Sequence, residues 1–370
     1  MQALMHHPVA HLKDHDRVLL IRLGAVGDVL RTLPALHLLR RTYPGLHLTW
    51  VVEDPSRDLL VGHPEIDELI VFPRRELREL ALRPRRLASR LTALAEGLRE
   101  RRFGVAIDFQ GSFKSGLLAR MSGAPRRVGF APGHCREFSF LWTNEWVRPL
   151  ELRLNRVERN LIMVERLGAT GDEVEVILPE LADEGREAES LLESLNPAGV
   201  PVVVLSPGTS RRQRWKRWPV EHYARLASLL RSSLGALPLV AWGPGEEGLA
   251  RSIASGCHGH AVVAPPSSLR LLAAILRRCA LFVGADTGPM HLAWGMGCPV
   301  VALFGPTDPL LNAPLGPAHL VLRSGRSTSN ISPEEVLRAA GTILGRRSAP
   351  TRTHRLSRAA LFPRAVGAGP

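Results

Sequence analysis

The chain has 370 residues, of which 45% are hydrophobic and 22% charged, and this length allows two domains with separate cores. No apolar run approaches the roughly 20 residues of a membrane-spanning helix, and the N-terminal residues lack the apolar core of a signal peptide, so we predict a cytoplasmic protein. The net charge of +13 suits polyanionic partners, and the four cysteines contain no CxxC pair, which argues against a disulfide framework or a structural zinc site.

Short apolar runs alternate with helical patterns in the first half of the chain. The predicted strands cover residues 17–23, 46–53, 68–72 and 104–109. Such alternation is typical of βαβ units around a parallel sheet. We therefore predict a polar leader over residues 1–16 and a first Rossmann-like domain over residues 17–180.

The strongest local charge lies between Arg74 and Arg102, where ten arginines stand against four glutamates. Two interpretations remain open for this arginine-rich segment, a solvated helix face and a surface for an anionic partner. Lysine is rare in the chain and occurs at Lys13, Lys114 and Lys216.

An acidic, irregular stretch separates this half from a second series of apolar runs. We predict a linker over residues 181–198, a second Rossmann-like domain over residues 199–345, and a disordered basic tail over residues 346–370. The fold class is therefore α/β, with two doubly wound domains. A cleft between them would receive loops from the carboxyl ends of both sheets.

The turn "GAVGD" follows the first predicted strand and ends at Asp28. A dinucleotide site of an NAD-dependent oxidoreductase is one interpretation, but the full G-x-G-x-x-G pattern is missing and a carboxylate at a helix start disfavours a pyrophosphate. Asp28 itself has two possible roles, a helix N-cap or a catalytic base at the end of a strand.

A basic loop, "SPGTSRRQRWKRWP", follows the strand that ends at Ser206. It combines the hydroxyl groups of Thr209 and Ser210 with a run of arginines and Lys216. Guanidinium and ammonium groups both bind phosphate oxygens, so this composition favours a phosphate site over a merely solvated loop.

The turn "DTG" follows a later strand and precedes a short helix with His291 in its first turn. Free amides at such a helix start suit a diphosphate, and Asp286 and Thr287 lie beside them. An aspartic protease is excluded, because its DTG motif needs an all-β setting. Glu246, after another strand, is a candidate for hydrogen bonds to a ribose or sugar hydroxyl, and no metal-ligand set is evident.

Together the motifs resemble the family 9 glycosyltransferases, in particular the ADP-heptose:lipopolysaccharide heptosyltransferases that add the first heptose. The similarity extends from about residue 17 to residue 344. The stretches that carry it are "GAVGDVLRTLPAL", "WVVED", "DFQGSFKSG", "GTSRRQRWKRWP", "WGPGEE", "DTGPMH" and "FGPTDP".

The resemblance implies a GT-B fold, with two facing Rossmann-like domains, and an inverting reaction without metal or cofactor. It implies that Asp28 is the general base and that Lys216 stabilises the leaving group. The implied donor contacts are Thr209, Ser210 and Lys216 to the diphosphate, Glu246 to ribose, Asp286 to heptose hydroxyls, and Thr287, Gly288 and His291 to the diphosphate side. The implied acceptor contacts are Gly27, Lys114 and Arg136.

The partners that follow from the resemblance are ADP-heptose, Kdo-lipid A or a related phosphorylated glycolipid, and the anionic inner face of the inner membrane. We expect a peripheral, monomeric enzyme. A family relative with another nucleotide sugar or acceptor is the nearest alternative, and an NAD-dependent oxidoreductase is more distant. A nucleic-acid binder is disfavoured, because no recognition motif accompanies the basic charge.

Overall fold

The computed structural model describes residues 10–345, together with residues 356, 357 and 361. The chain divides into two compact units, Met1–Pro179 and Glu180–Pro370. Nearly all of the tail predicted over residues 346–370, and residues 1–9 of the leader, lie outside the described residues. Within the described ranges, no helix is both long enough and apolar enough to cross a membrane.

The first unit is built on a six-stranded parallel sheet with the order β3-β2-β1-β4-β5-β6. Its strands are Arg17–Ile21 (β1), His47–Glu53 (β2), Glu68–Phe72 (β3), Val105–Asp108 (β4), Arg126–Phe130 (β5) and Glu145–Val147 (β6), and Glu173–Val174 (β7) is a separate short strand. The central strand β1 is covered on both faces, which explains why its sequence is an unbroken apolar run.

Helices cover both faces of this sheet. They are Val26–Leu30 (α1), Leu33–Thr42 (α2), Asp54–Arg57 (α3), Arg74–Glu79 (α4), Pro84–Glu100 (α5), Phe113–Met121 (α6) and Arg156–Glu165 (α7), with 3₁₀ turns at Leu80–Leu82 and Ser139–Leu141. Pro34 lies in the first turn of α2, where its missing amide costs no helical hydrogen bond, and α1 ends before it. Ser112 and Ser115 form a capping box that fixes the start of α6.

The second unit repeats the same plan, with the parallel strand order β10-β9-β8-β11-β12-β13. Its strands are Val202–Ser206 (β8), Leu237–Val240 (β9), Val262–Val263 (β10), Leu281–Ala285 (β11), Val300–Phe304 (β12) and Leu320–Arg323 (β13), and Leu356–Ser357 (β14) is short. Tyr223 and Trp218 are buried in its core and donate to the main-chain oxygens of Ser206 and Ile331, each at 2.9 Å.

The helices of the second unit are Ala182–Leu195 (α8), Val220–Leu234 (α9), Glu247–Gly256 (α10), Leu269–Arg278 (α11), Gly288–Gly295 (α12), Pro309–Asn312 (α13) and Pro333–Gly345 (α14), with 3₁₀ turns at Arg211–Lys216 and Thr328–Asn330. Helix α8 occupies most of the stretch 181–198 that the sequence predicts to be a linker. It packs against α11 and belongs to the second unit. Its buried positions include Gly185 and Ala188, whose small side chains give a weak apolar signal.

Both sheets have the 3-2-1-4-5-6 order of a Rossmann fold, which confirms the predicted α/β class with two doubly wound units. The strand order reverses between β1 and β4 in the first unit and between β8 and β11 in the second. Ligands of such sheets bind at the carboxyl ends of the strands at this reversal. Asp28 follows β1, and Lys216 and Asp286 follow β8 and β11, so both predicted catalytic residues, Asp28 and Lys216, and the predicted donor contact Asp286 lie at these two positions.

Candidate active site

Asp28 lies in the first turn of α1, directly beyond the carboxyl end of β1. The N-cap of α1 is Ala25, and no side chain forms a cap hydrogen bond there, so the N-cap interpretation of Asp28 is wrong. Instead, its Oδ1 accepts from Arg31 at 2.5 Å and forms an ion pair with Arg22 at 3.1 Å. The carboxylate is therefore held by two guanidinium groups rather than by the helix backbone.

These ion pairs set the charge state of Asp28. Burial raises the pKa of its carboxyl group, but the positive charges of Arg22, Arg31 and Arg156 outweigh burial and hold the pKa well below its usual range. Asp28 is thus ionised at neutral pH. A carboxylate with such a low pKa is a weak base. It becomes a stronger base when an anionic group binds next to its arginine neighbours.

A cavity of about 240 Å³ opens beside Asp28, and we call it the Asp28 pocket. Four guanidinium groups face two carboxylates in its lining, which includes Arg22, Asp28, Arg136, Glu137, Arg156 and Arg159. The pocket has an excess of positive charge and forked hydrogen-bond donors, so it suits a ligand with carboxylate or phosphate groups.

Arg159 is the most confined of these cations. Its guanidinium lies 3.8 Å from the ring centroid of Phe130 and donates to the main-chain oxygen of His134. Burial, followed by repulsion from the neighbouring arginines, lowers the pKa of Arg159 to about 10. Crowded cations of this kind gain from a bound anion, because it relieves their mutual repulsion.

Three arginines of the pocket were missed in the sequence: Arg22, Arg156 and Arg159. Arg22 is the first residue after β1, and the other two lie three residues apart at the start of α7, on one helix face. The asparagine cap Asn155 marks that helix start and was an available signal, whereas the position of α7 beside Arg22 and Asp28 depends on tertiary packing.

Of the predicted acceptor contacts, the structure brings Arg136 to Asp28 in the pocket but does not place Gly27 or Lys114 in its lining. The main-chain oxygen of Gly27 accepts from the Nε of Arg31 at 3.1 Å. Lys114 forms an ion pair with the buried carboxylate of Glu53, which also pairs with Arg74 at 2.7 Å.

In the second unit, Glu246 connects two loops at the carboxyl edge of the sheet. Its carboxylate accepts from the amide of Thr209 at 2.9 Å and the amide of Gly243 at 3.2 Å, and it pairs with Arg217 at 3.2 Å. A Cβ at Gly208 would stand 1.9 Å from the Oε2 of Glu246, so any larger residue there would displace this carboxylate. These bonds hold Thr209 in a buried position, while Ser210 is exposed.

Lys216, Asp286 and His291 form a buried polar cluster in this unit. The Nζ of Lys216 is 3.1 Å from Oδ2 of Asp286, and the Nε2 of His291 is 3.4 Å from Oδ1. Burial raises the pKa of Asp286, but the bonds and charges of His291 and Lys216 prevail and hold it well below its usual range. The structure therefore brings together a lysine from the loop after β8 and an aspartate and a histidine from the segment after β11.

The first turn of α12 lies next to this cluster. Thr287 is its N-cap, and Gly288 is its first residue. The first amides of a helix have no partner within the helix and carry partial positive charge. Among the described residues, no group of three or more His, Cys, Asp or Glu side chains is arranged to hold a metal ion.

The chain thus has the architecture of a nucleotide-dependent α/β enzyme, with polar sites at the strand-order reversal of each sheet. Residues 91–337 match the model of glycosyltransferase family 9 (heptosyltransferase). Lipopolysaccharide heptosyltransferase 1 of Escherichia coli K12 is 29% identical over 331 residues, which cover 88% of this chain and 100% of the relative. The Pseudomonas aeruginosa protein of the same name is 30% identical over 312 residues, covering 83% of this chain and 84% of the relative.

A solved structure, that of E. coli heptosyltransferase WaaC with ADP-2-deoxy-2-fluoro heptose, is similar to this chain with a TM-score of 0.71 and 27% identity. The similarity covers 88% of this chain and 99% of that one. The protein belongs to glycosyltransferase family 9. This membership confirms the resemblance and the GT-B class, and it decides for a glycosyltransferase over an oxidoreductase.

Proposed function

We propose that this protein is an inverting heptosyltransferase that moves heptose from ADP-heptose to the Kdo region of the lipopolysaccharide inner core, with Kdo-lipid A or a related phosphorylated glycolipid as acceptor. The observation that carries this proposal is the Asp28 pocket, whose arginines suit the carboxylate and phosphate groups of such an acceptor. The names of the relatives, and the ADP-heptose analogue in the similar structure, support the sugar and the donor.

On the acceptor side, Asp28 takes the proton of the attacking hydroxyl as its oxygen forms a bond to the anomeric carbon of heptose. An anionic acceptor beside Arg22 and Arg156 adds negative charge near Asp28, and this raises its pKa from the low value of the free protein. Arg136 and Arg159 orient the acceptor. The acceptor thereby strengthens the base that activates it.

On the donor side, the bond between the anomeric carbon and the diphosphate breaks with inversion, and ADP leaves with the bonding electrons. Lys216 and the first amides of α12, with Thr287, Gly288 and His291 around them, stabilise the negative charge that develops on the diphosphate. No metal or other cofactor takes part in this proposal.

The remaining donor contacts are proposed with the roles that the resemblance implies. Thr209 and Ser210 receive the diphosphate, and Asp286 receives heptose hydroxyls. Glu246 holds the loop of Thr209 through its bonds within the protein, and an approaching ribose would compete with Arg217 for its Oε1.

The cellular setting is a further part of the proposal. A lipid-linked acceptor and a net charge of +13 favour a cytoplasmic enzyme that is peripheral to the anionic inner face of the inner membrane. We propose a monomer that acts on lipid rather than on nucleic acid.

The proposal is tested with purified protein, ADP-heptose and Kdo-lipid A, followed by mass spectrometry of the lipid product. We expect the mass to show addition of one heptosyl group, and NMR spectra of the product to show that the configuration at the anomeric carbon is inverted. A parallel panel of other nucleotide sugars identifies the alternative, a family relative with a different donor, if one of them is used and ADP-heptose is not.

A further inference from the structure

Exposed apolar side chains are concentrated on three loops at one edge of the first unit. Phe138 is 69% exposed, Leu141 68% and Leu150 95%, and Phe113 and Leu152 are exposed as well. We call these five residues the apolar rim. They lie in the connections that follow β4, β5 and β6, which are neighbouring parallel strands, so the three loops leave the same edge of the sheet.

The apolar rim borders the Asp28 pocket. Arg136 and Glu137 line the pocket and directly precede Phe138. The amide of Phe113 donates to Oε2 of Glu137 at 3.2 Å, which ties the loop after β4 to the loop after β5. The third loop leads into α7, whose Arg156 also lines the pocket.

The local structure presents the rim to solvent instead of folding it inward. Glu137 and Phe138 both have left-handed backbone conformations, with φ of 51° and 56°, which non-glycine residues rarely adopt. The rings of Phe113 and Trp142 meet edge to face at 5.4 Å, and those of Phe138 and Phe140 lie 6.1 Å apart. The two exposed phenylalanines are therefore held in place by aromatic neighbours.

Cations accompany these apolar groups. Arg148 is exposed on the loop that carries Leu150, and Arg136 is exposed on the loop that carries Phe138. The acidic residues Glu137 and Glu151 lie in the same loops, but the arginines of the Asp28 pocket leave this edge with an excess of positive charge. Apolar side chains beside arginine and lysine are the combination that anchors proteins at the headgroup region of an anionic bilayer.

We propose that the apolar rim inserts into the headgroup region of an anionic bilayer and thereby places the mouth of the Asp28 pocket at the membrane surface. This inference rests on the proposed function for the identity of the acceptor, since a glycolipid acceptor would reach the pocket from that surface. The arginine-rich segment is the alternative surface of the first unit that could bind an anionic bilayer. Several of its arginines are paired with glutamates, among them Arg75 with Glu79 and Arg90 with Glu76.

The test measures binding of the purified full chain to phosphatidylcholine vesicles with and without phosphatidylglycerol, in the absence of sugar nucleotide and glycolipid. The double variant Phe138→Ser/Leu141→Ser removes two rim side chains. We expect it to bind anionic vesicles about tenfold or more weakly than the parent. The matched control is Leu82→Ser, which removes a leucine that is 94% exposed within the arginine-rich segment and should leave vesicle binding unchanged.

Melting temperature and ADP binding verify that the double variant is folded, and Leu150→Ser on another loop replaces it if it is not. The proposal is overturned if the parent does not bind anionic vesicles, if the rim variants bind as the parent does, or if Leu82→Ser causes the larger loss. It is also overturned if light scattering shows that the rim variants abolish a dimer while vesicle binding is unchanged. The vesicle assay contains no substrate, so its result does not depend on whether the protein transfers heptose. A negative result in the vesicle assay would likewise not contradict the proposed transfer reaction.

Discussion

The Nζ of Lys216 donates to the main-chain oxygen of Asp286 at 3.0 Å and to its Oδ2 at 3.1 Å, and both side chains are buried. The cation proposed for the diphosphate is thus bonded to the carboxylate proposed for the sugar. A donor that binds here meets a lysine whose position is already fixed, and little side-chain entropy remains to be lost on binding.

Lys216→Ala is expected to lower kcat and kcat/KM together by about tenfold or more, because a charged hydrogen bond in a buried site contributes ~1.5 to 3 kcal/mol. It also leaves Asp286 with a broken ion pair, so the melting temperature should fall. Steady-state kinetics and calorimetry measure the two effects. Arg214→Ala, which removes an exposed cation of the same loop, is the control and should change neither. Parental kinetics in Lys216→Ala would place this lysine outside the reaction.

Chelation is expected to leave the reaction unaffected. Lys216, His291 and the first amides of α12 are proposed to neutralise the leaving diphosphate, and Asp286 is occupied by the two side chains of its own cluster. Turnover should therefore be equal with excess EDTA and with added Mg²⁺. Activity that disappears in EDTA and returns with Mg²⁺ or Mn²⁺ would contradict this account of the leaving group.

Arg136 and Lys114 should differ in their effects on the acceptor. Arg136→Ala removes a cation from the lining of the Asp28 pocket, so we expect a rise in the acceptor KM of about tenfold with unchanged ADP affinity. Lys114→Ala removes a partner of Glu53 instead, so its main effect should be a lower melting temperature and its change in KM should be smaller. The opposite order in acceptor KM, with Lys114→Ala the more severe, would show that the acceptor extends to Lys114.

Asp108 offers a prediction for stability against pH. Burial raises the pKa of its carboxyl group to about 6, although the amides of Gln110 and Gly111 donate to its Oδ1. A raised pKa means that the stability present below the unfolded pKa, near 3.8, is lost as the pH rises through about 6.

Asp108→Asn keeps an oxygen acceptor and cannot ionise. Its free energy of unfolding should therefore rise relative to that of the parent between about pH 4 and pH 6 and stay higher above that range, by about 1 to 3 kcal/mol. Urea unfolding of both proteins across this range measures the difference. A difference that does not vary with pH would show that Asp108 is ionised in the folded protein throughout.

The sequence predicted the strands at the sheet centres well, because β1, β4, β8 and β11 are mostly apolar runs. It missed β5 and β6. Strand β5 begins with two arginines and contains Gly129, and β6 has only three residues, so neither gives an apolar run of useful length. Their order in the sheet depends on hydrogen bonds between strands that are distant in the sequence, and a local sequence pattern does not predict such pairing.

The candidate site was predicted unevenly for the same reason. Asp28, Lys216 and Asp286 each follow a strong strand signal, and within each sheet the parallel strands bring such residues to its carboxyl edge. The ion pairs between them and their neighbours were not predictable. Arg22 directly follows β1 and Arg31 directly follows α1, and only the folded turn shows that both pair with Asp28.

Those ion pairs change what is expected of Asp28→Asn. The depressed pKa of Asp28 contributes stability that is present above its unfolded pKa and is lost as the pH falls. An amide keeps a hydrogen bond to Arg31 but loses both ion pairs, so we expect a moderate loss of stability at neutral pH that shrinks toward acidic pH. Asp28 does not cap α1, so the loss of a helix cap does not contribute to this change in stability.

The catalytic effect should be far larger than the loss of folded protein. An amide cannot take the proton of the acceptor, and removal of a general base typically lowers the rate ~10²- to 10⁴-fold. Product assays at a temperature where Asp28→Asn is folded by calorimetry separate the two effects. For the parent, the acid limb of kcat/KM reports the free enzyme and should lie below pH 5, because the arginines hold the pKa of Asp28 down. Near-parental turnover in Asp28→Asn, or an acid limb near pH 6 that persists in it, would assign the base to another residue.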